Sequence, residues 1–403
     1  MPQRVGRAVA RLSLLIALTL AACVQQPPSA PQGKVTMTLS PVGFDRLPGW
    51  REDHPAEAVP VFLAGCAAMA GSPDVSLGGS GEAESRGGSA LQWREACDAA
   101  RSLPPGDAAA RGFFETWFQA WAVSGNGNSN GLFTGYYEPE VRGARSPGGI
   151  YRTPLLGRPH DMVQVDLSAF AADLQGRRIV GRLQQGQLVP YWDRAAIDSG
   201  ALDRQRLGIV WLADPIDAFI LQIQGSGRIR LPDGRVVRVT YAGQNGRPYV
   251  PIGRVLADRG QMSLDQVSLQ SIRTWLVAHP TEAVQVMDQN PSYVFFRELI
   301  GVRPDEGPPG TLGAPLTPGR SLAVDRSCLP LGAPVWLDTT DPLTGGPLRR
   351  LMVAQDTGGA IKGPVRADVF WGWGPDAEDR AGKMRQPGSQ YVLLPRAVRS
   401  AAN

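Results

Sequence analysis

Three histidines in 403 residues, His54, His160 and His279, are too few and too scattered for a His-based triad or a zinc site. Cysteine is almost as scarce. Cys23, Cys66, Cys97 and Cys328 show no C-x-x-C spacing and no His pairing, so neither a metal nor a cofactor is implied. No G-x-S-x-G, H-E-x-x-H or P-loop occurs, and no internal repeat is visible. The glycine spacing Gly225-Ser226-Gly227 opens no helix after a strand in a βαβ unit, so phosphate cradling lacks support. Setting aside Arg4, Arg7 and Arg11, which precede an apolar leader, leaves 38 basic residues against 37 acidic ones. That balance excludes nucleic acid as an electrostatically favoured partner. Glycine (48) and proline (35) are abundant beside 43% hydrophobic residues. Such a chain has a sizeable core cut into short elements by turns, which rules out long bundles and coiled coils.

The basic leader runs into Leu12 to Ala22, a signal-peptide core too short to span a bilayer. Leu20, Ala21, Ala22 and Cys23 match a bacterial lipobox, in which small residues admit the signal peptidase and the Cys23 thiol takes a diacylglycerol. The alternative is ordinary secretion with an incidental cysteine. Residues 1–22 are thus read as a signal peptide and 23–42 as lipidated Cys23 plus a flexible, Pro-rich tether. Val24 is not an acidic retention signal, which favours the periplasmic face of the outer membrane, with the membrane as a partner through the lipid.

Export changes how the remaining cysteines are read. Cys66 and Cys97 flank the low-complexity stretch 71–89, and a disulfide between them would close that loop; two buried thiols in adjacent helices is the other reading. Cys328 is left as a buried small side chain. Asp107 caps a helix in which Phe114, Trp117, Phe118 and Trp121 recur at helical spacing, a stripe expected in the core. Residues 132–140 look like a strand with a turn at Pro139, and 151–249 look almost wholly β. A hairpin is expected around Pro232-Asp233-Gly234. Helices follow over 263–279, with Ser263 and Gln266 forming a capping box, and over 281–290. A Pro/Gly-rich linker, 303–320, leads into a last β region.

Carboxylates gather in that last region. Asp325 follows Ser321 to Val324, Asp356 follows Leu351 to Gln355, and Asp368 precedes Val369, Phe370 and Trp371. A carboxylate at the edge of a buried strand is desolvated, which raises its pKa and keeps an acid catalyst protonated near neutrality. The aromatic run from Phe370 to Trp373 adds faces on which pyranose rings pack. An apolar run ending in Asp356-Thr357-Gly358 also suggests an aspartic protease turn, but Asp325 is followed by Arg326 and Ser327 and supplies no second copy.

The segment Asp356-Thr357-Gly358-Gly359-Ala360-Ile361-Lys362-Gly363, with Asp368-Val369-Phe370, Gly372 and Gly374, resembles the C-terminal signature of the MltA family of membrane-bound lytic murein transglycosylases. Asp325, Asp356 and Asp368 match the three aspartates of that family's 3D region. Residues 135–139 (GYYEP), 222–227 (QIQGSG), 241–246 (YAGQNG) and 290–296 (NPSYVFF) extend the match from about 130 to about 395. The resemblance implies a mostly β fold: a double-psi β-barrel from 43–140 and 297–403, an inserted all-β domain with C-terminal helices over 141–296, and a glycan groove between them. It implies a lyase that cuts the β-1,4 bond between N-acetylmuramic acid and N-acetylglucosamine in peptidoglycan and leaves a 1,6-anhydromuramic end. Asp368 becomes the catalytic acid/base with Asp356 beside it. Substrate contact falls to Asp325, Tyr137, Gln224, Gly225, Ser226, Gly358, Gly359, Lys362 and Trp371. Thr357, where the resemblance implies an apolar residue in some relatives, and the 71–89 insertion depart from the pattern. A two-carboxylate murein hydrolase and a non-catalytic murein-binding lipoprotein are the competing readings.

Overall fold

The computed structural model describes residues 35–396 apart from 74, 175 and 176, so the leader and Cys23 lie outside the described residues. The first element is already a correction to the tether. Met37–Val42 (β1) pairs antiparallel with Phe118–Gly125 (β2), because Met37, Leu39 and Val42 pack on the core. Proline at 41 is tolerated because β1 is an edge strand.

Four helices follow: Ala58–Ala70 (α1), Glu82–Gly87 (α2), Arg94–Arg101 (α3) and Asp107–Trp117 (α4). A disulfide joins Cys66 of α1 to Cys97 of α3. The stretch it encloses is not a loose loop: Leu77 and Ala83 are buried, and the Leu331 amide donates to the Leu77 carbonyl. The aromatic stripe divides. The helix stops at Trp117, and Phe118 and Trp121 belong to β2, whose backbone pairs with strands on both sides. Ladder bonds override the helical spacing there. The stripe is nonetheless core, with Phe62 against the rings of Phe113, Phe114 and Phe118. Gly106 occupies the α4 cap, while Asp107 accepts from the Ala56 amide and pairs with His54.

Gly131–Glu138 (β3) precedes a run of strands: Glu140–Ala144 (β4), Thr153–Leu156 (β5), Val163–Asp166 (β6), Arg178–Gln184 (β7), Gln187–Pro190 (β8) and Gly208–Leu212 (β9). Ser226–Arg230 (β10) and Val236–Gln244 (β11) form the expected hairpin, with Gly234 at φ 85° in its turn. This region is less purely β than its composition suggests, since Arg194–Asp198 (α5) and Pro215–Gln224 (α6) interrupt it. Asp214 caps α6 by accepting from the Ile216 amide, Pro215 opens it, and Gly225 ends it at φ 80°. Ile252–Asp258 (α7), Leu269–Ala278 (α8) and Pro280–Met287 (α9) follow. Ser268 and Ser271 cap α8; the Ser263 to Gln266 turn is a separate 3-10 segment. Val294–Leu299 (β12) completes a six-stranded sheet in the order β12-β11-β10-β4-β9-β5, beside a three-stranded sheet β6-β7-β8.

The last strands are Ser321–Val324 (β13), Pro334–Thr340 (β14), Pro347–Asp356 (β15), Arg366–Trp373 (β16) and Arg385–Pro395 (β17), with Pro375–Lys383 (α10) before the final one. They run β17-β14-β15-β13-β16-β3, and β3 pairs back onto β17, closing a six-stranded barrel to which β2 and β1 are appended. β13 is buried throughout and lies parallel to β15 and antiparallel to β16. Among the described residues no helix is long and apolar enough to cross a membrane.

Candidate active site

Strand register brings two of the three aspartates together. Ala323 of β13 is the partner of Asp356 on one side and of Asp368 on the other. Two strand spacings put their Cα atoms roughly 10 Å apart across one face. A register slip between Leu322 and Ala323 falls at the end of β15, a bulge of the kind that re-aims a side chain. On the far side of β16, Thr134 of β3 is the partner of Asp368 and Tyr136 the partner of Phe370. The period of two sets Thr134 and Tyr136 on one face of β3.

Asp368 is half-buried. Its Oδ1 accepts from Thr134 Oγ1 at 2.6 Å, and Thr134 Oγ1 accepts from Arg366 Nη2 at 2.8 Å. Because Arg366 can only donate, the single Thr134 hydrogen points at the carboxylate. Burial pushes the Asp368 carboxyl above the ordinary carboxylate range, opposed by the Arg366 charge and the Thr134 bond and assisted by the charge on Asp356. Asp356 is held differently. Its Oδ1 accepts from the Thr311 amide at 2.9 Å and hydroxyl at 2.8 Å, and its Oδ2 from the Tyr136 hydroxyl at 3.0 Å. Its carboxyl is also raised by burial, against those donors. Tyr249, in the segment following β11, is 36% exposed; partial desolvation and the Asp368 charge raise its hydroxyl pKa.

The remaining residues singled out from sequence are dispersed. Asp325 is a turn residue: Oδ1 accepts from the Ser327 amide and hydroxyl, and Oδ2 accepts from the Gly363 amide at 2.8 Å. That last bond ties down the segment carrying Gly358, Gly359 and the exposed Lys362. Tyr137 is buried on the opposite face of β3 from Tyr136, against Ala377 and Ala381 of α10. Its amide donates to Gln224 Oε1 at 3.0 Å, so Gln224 fastens α6 to β3, while Gly225 and buried Ser226 carry the chain from α6 into β10. Trp371 packs above Gly135, where a Cβ would fall 2.7 Å from the indole, and under Arg380. Thr134, Tyr136, Thr311, Arg366 and Tyr249 are the site residues that sequence reasoning passed over. Tyr136 had a signal, since it stands two positions from Thr134. Among the described residues no His, Cys, Asp and Glu are grouped so as to hold a metal.

Next to this site Glu138, fully buried, accepts from Arg228 Nε at 2.8 Å and from Arg238 Nε and Nη2. The same arginines donate to carbonyls of Arg303, Pro304 and Glu306, and Trp373 stacks on Arg228 at 3.9 Å. The ion cluster therefore rivets the six-stranded sheet, the 303–306 linker and the barrel strand β3 at one point.

A closed β-barrel interrupted by a second sheet, with carboxylates spread over adjacent barrel strands, defines a two-part class of protein, and comparison with known proteins matches both parts. Residues 132–297 match the MltA specific insert domain and residues 320–394 the 3D domain. The membrane-bound lytic murein transglycosylase A of Escherichia coli K12 is 34% identical over 284 residues, 68% of each chain. The crystal structure of the Agrobacterium tumefaciens membrane-bound lytic murein transglycosylase superposes with a TM-score of 0.78 at 34% identity, covering 89% of this chain and 98% of that one. Escherichia coli MltA with bound chitohexaose gives 0.65 at 27% identity, over 91% and 97%. The chain belongs to the MltA family.

Proposed function

We propose that this chain is a lytic transglycosylase of peptidoglycan that cleaves between N-acetylmuramic acid and N-acetylglucosamine with Asp368 as its acid and then its base. The observation that carries this reading is the inequality of the two carboxylates. Asp356 is held by the Thr311 amide and hydroxyl, the Tyr136 hydroxyl and the Thr357 amide, whereas Asp368 has the Thr134 hydroxyl alone and is half-open. A hydrolase needs a second carboxylate to activate water or attack the sugar, and a saturated one is poorly suited to either task. With Oδ1 engaged by Thr134, the transferable proton sits on Oδ2 of Asp368, which gives it to the glycosidic oxygen as the muramic C1 gains oxocarbenium character. The C6 hydroxyl of the same sugar then attacks C1, and ionised Asp368 takes its proton. Tethering that nucleophile to the ring spares the entropy of recruiting water. Arg366 offsets the carboxylate charge between the two steps, and Asp356 acts on Asp368 through its own charge.

Family membership supports the substrate, since the relatives are named for murein and one of them binds a chitin oligosaccharide. Among the residues inferred from sequence, Asp325, Gly358, Gly359 and Lys362 belong to the segment bordering the carboxylates. Tyr137, Gln224, Gly225, Ser226 and Trp371 serve in positioning strands and helices. Lipidation at Cys23 and residence at the outer membrane complete the reading, consistent with membrane-bound relatives. Digestion of purified murein is expected to give 1,6-anhydromuramic ends, lighter by one water than hydrolytic products in mass spectra, and Asp368→Asn to abolish them while still binding glycan. Reducing ends as the main product would overturn the reading in favour of a two-carboxylate hydrolase.

A further inference from the structure

Asp356 and Asp368 flank Ala323 of β13, and each accepts from a threonine hydroxyl that has a single hydrogen to give. At Asp368 that hydrogen belongs to Thr134 and is directed by Arg366. At Asp356 it belongs to Thr311. The Thr311 hydroxyl lies 2.8 Å from Asp356 Oδ1 and 2.8 Å from the hydroxyl of Thr357, and among the described residues it bonds to these two alone. The Thr311 amide donates to the same Oδ1 at 2.9 Å, so both lone pairs of that oxygen are taken and it stays an acceptor in either charge state of the pair. A proton taken up by Asp356 therefore goes to Oδ2, where Tyr136 stands. The Thr311 hydrogen is committed to Oδ1, which leaves Thr357 as the donor between the two threonines. A chain of hydroxyls runs one way, from Thr357 through Thr311 to Asp356.

The backbone holds this chain in place. The Leu312 amide donates to the Gln355 carbonyl at 3.0 Å and the Gly310 amide to the Ala314 carbonyl at 2.9 Å, which pins the turn bearing Thr311 to the end of β15. Gly310 permits the approach, since a Cβ there would lie 2.5 Å from the Gln355 carbonyl oxygen. Thr311 is at the exposed rim and Thr357 is half-buried. A hydroxyl that receives a hydrogen bond donates a stronger one, so Thr357 tightens the hold of Thr311 on the Asp356 anion. Two coupled carboxyls pass through a range of pH in which they share one proton, and the one whose anion is better served leaves that proton to the other. The groups that act on the pair are Tyr136 of β3, Arg366 of β16 and Tyr249 of the segment after β11. Arg366 and Thr134 favour the Asp368 anion and so draw the shared proton toward Asp356. The Thr311 chain and the Tyr136 hydroxyl oppose them.

We propose that Thr357 is a positioning residue of the acid site, whose hydroxyl acts through Thr311 to leave the one proton of the carboxylate pair on Asp368. This rests on Asp368 being the acid of the functional reading. The test compares wild type with Thr357→Val, in which a methyl takes the place of the hydroxyl and keeps water out of it, and with Thr357→Ser, which returns the hydroxyl. Carbon-13 labels on the aspartate carboxyls, assigned through Asp356→Asn and Asp368→Asn, read the two protonation states by NMR without turnover. Where the pair holds one proton, the protonated share of Asp356 is expected to rise roughly threefold in Thr357→Val and to stay at the wild-type value in Thr357→Ser. Over that range kcat for anhydro ends should fall with KM unchanged, and it should meet wild type at acid pH, where both carboxyls are protonated. Thr311→Val should raise the Asp356 share at least as far, and adding Thr357→Val to it should change nothing more. An equal Asp356 share in wild type and Thr357→Val, a serine variant that behaves as the valine one, or a loss of kcat equal at every pH would overturn the proposal. Wild type that yields no anhydro ends at any pH would instead overturn the functional reading, while the carboxyl signals still report where the proton sits.

Discussion

Thr134 has one hydrogen to give, and Arg366 decides where it goes. That arrangement fixes the sign of two pH effects. On the proposed mechanism turnover needs protonated Asp368, so the rate is expected to fall as pH rises through its raised pKa. The Thr134 bond favours the anion, and Thr134→Val should move the alkaline limb of kcat to higher pH. The Asp356 charge disfavours the anion, and Asp356→Asn should move it to lower pH. Rates of anhydro product formation across pH check both, and shifts of the same sign would contradict the assignment. The aspartates were legible because each ends or interrupts an apolar run. Their donors were not, because Thr134 and Thr311 lie in unremarkable sequence far from 368 and 356 and reach them only through strand register. Tyr137 was singled out where Tyr136 touches Asp356: the motif contains both, and only the face of β3 tells them apart.

Among elements, hairpins and strand ends were readable from turn chemistry, as at Gly234. Errors fell where one pattern serves two structures. Aromatics at 114, 117, 118 and 121 fit a helix, but pairing on both edges of β2 takes the last two. Residues 215–224 are apolar enough to pass for a buried strand, although Asp214, Pro215 and Gly225 carried the helix signals. Glu138 binds one strand to two buried arginines. Glu138→Gln leaves Arg228 and Arg238 buried beside a neutral amide, and loss of a buried charge partner costs about 3–5 kcal/mol. Urea unfolding followed by far-UV circular dichroism should show that loss as a lower midpoint with little change of slope. A midpoint within error of wild type would mean the arginines are satisfied by the linker carbonyls alone.

For the whole molecule, composition gave only the class, short elements around a sizeable core; the interrupted barrel came from motifs strung in family order between 130 and 395. The 71–89 segment shows the limit of that route, since low complexity hid a helix and a buried leucine. With lipidation proposed at Cys23, Cys23→Ala is expected to leave an exported protein that fractionates as soluble. Retention of that variant in the outer membrane fraction would contradict lipidation at Cys23. The barrel seam has a consequence in time. Thr134, which orients Asp368, is the strand partner of Arg385, about 250 residues later in the chain. A chain emerging from its N-terminus must hold β3 unpaired on that side until β17 arrives, long after the inserted sheet has been made. Closure of the seam beside Asp368 is therefore among the last events of biosynthesis, and a nascent polypeptide stays without the finished carboxylate site until its last strand is made.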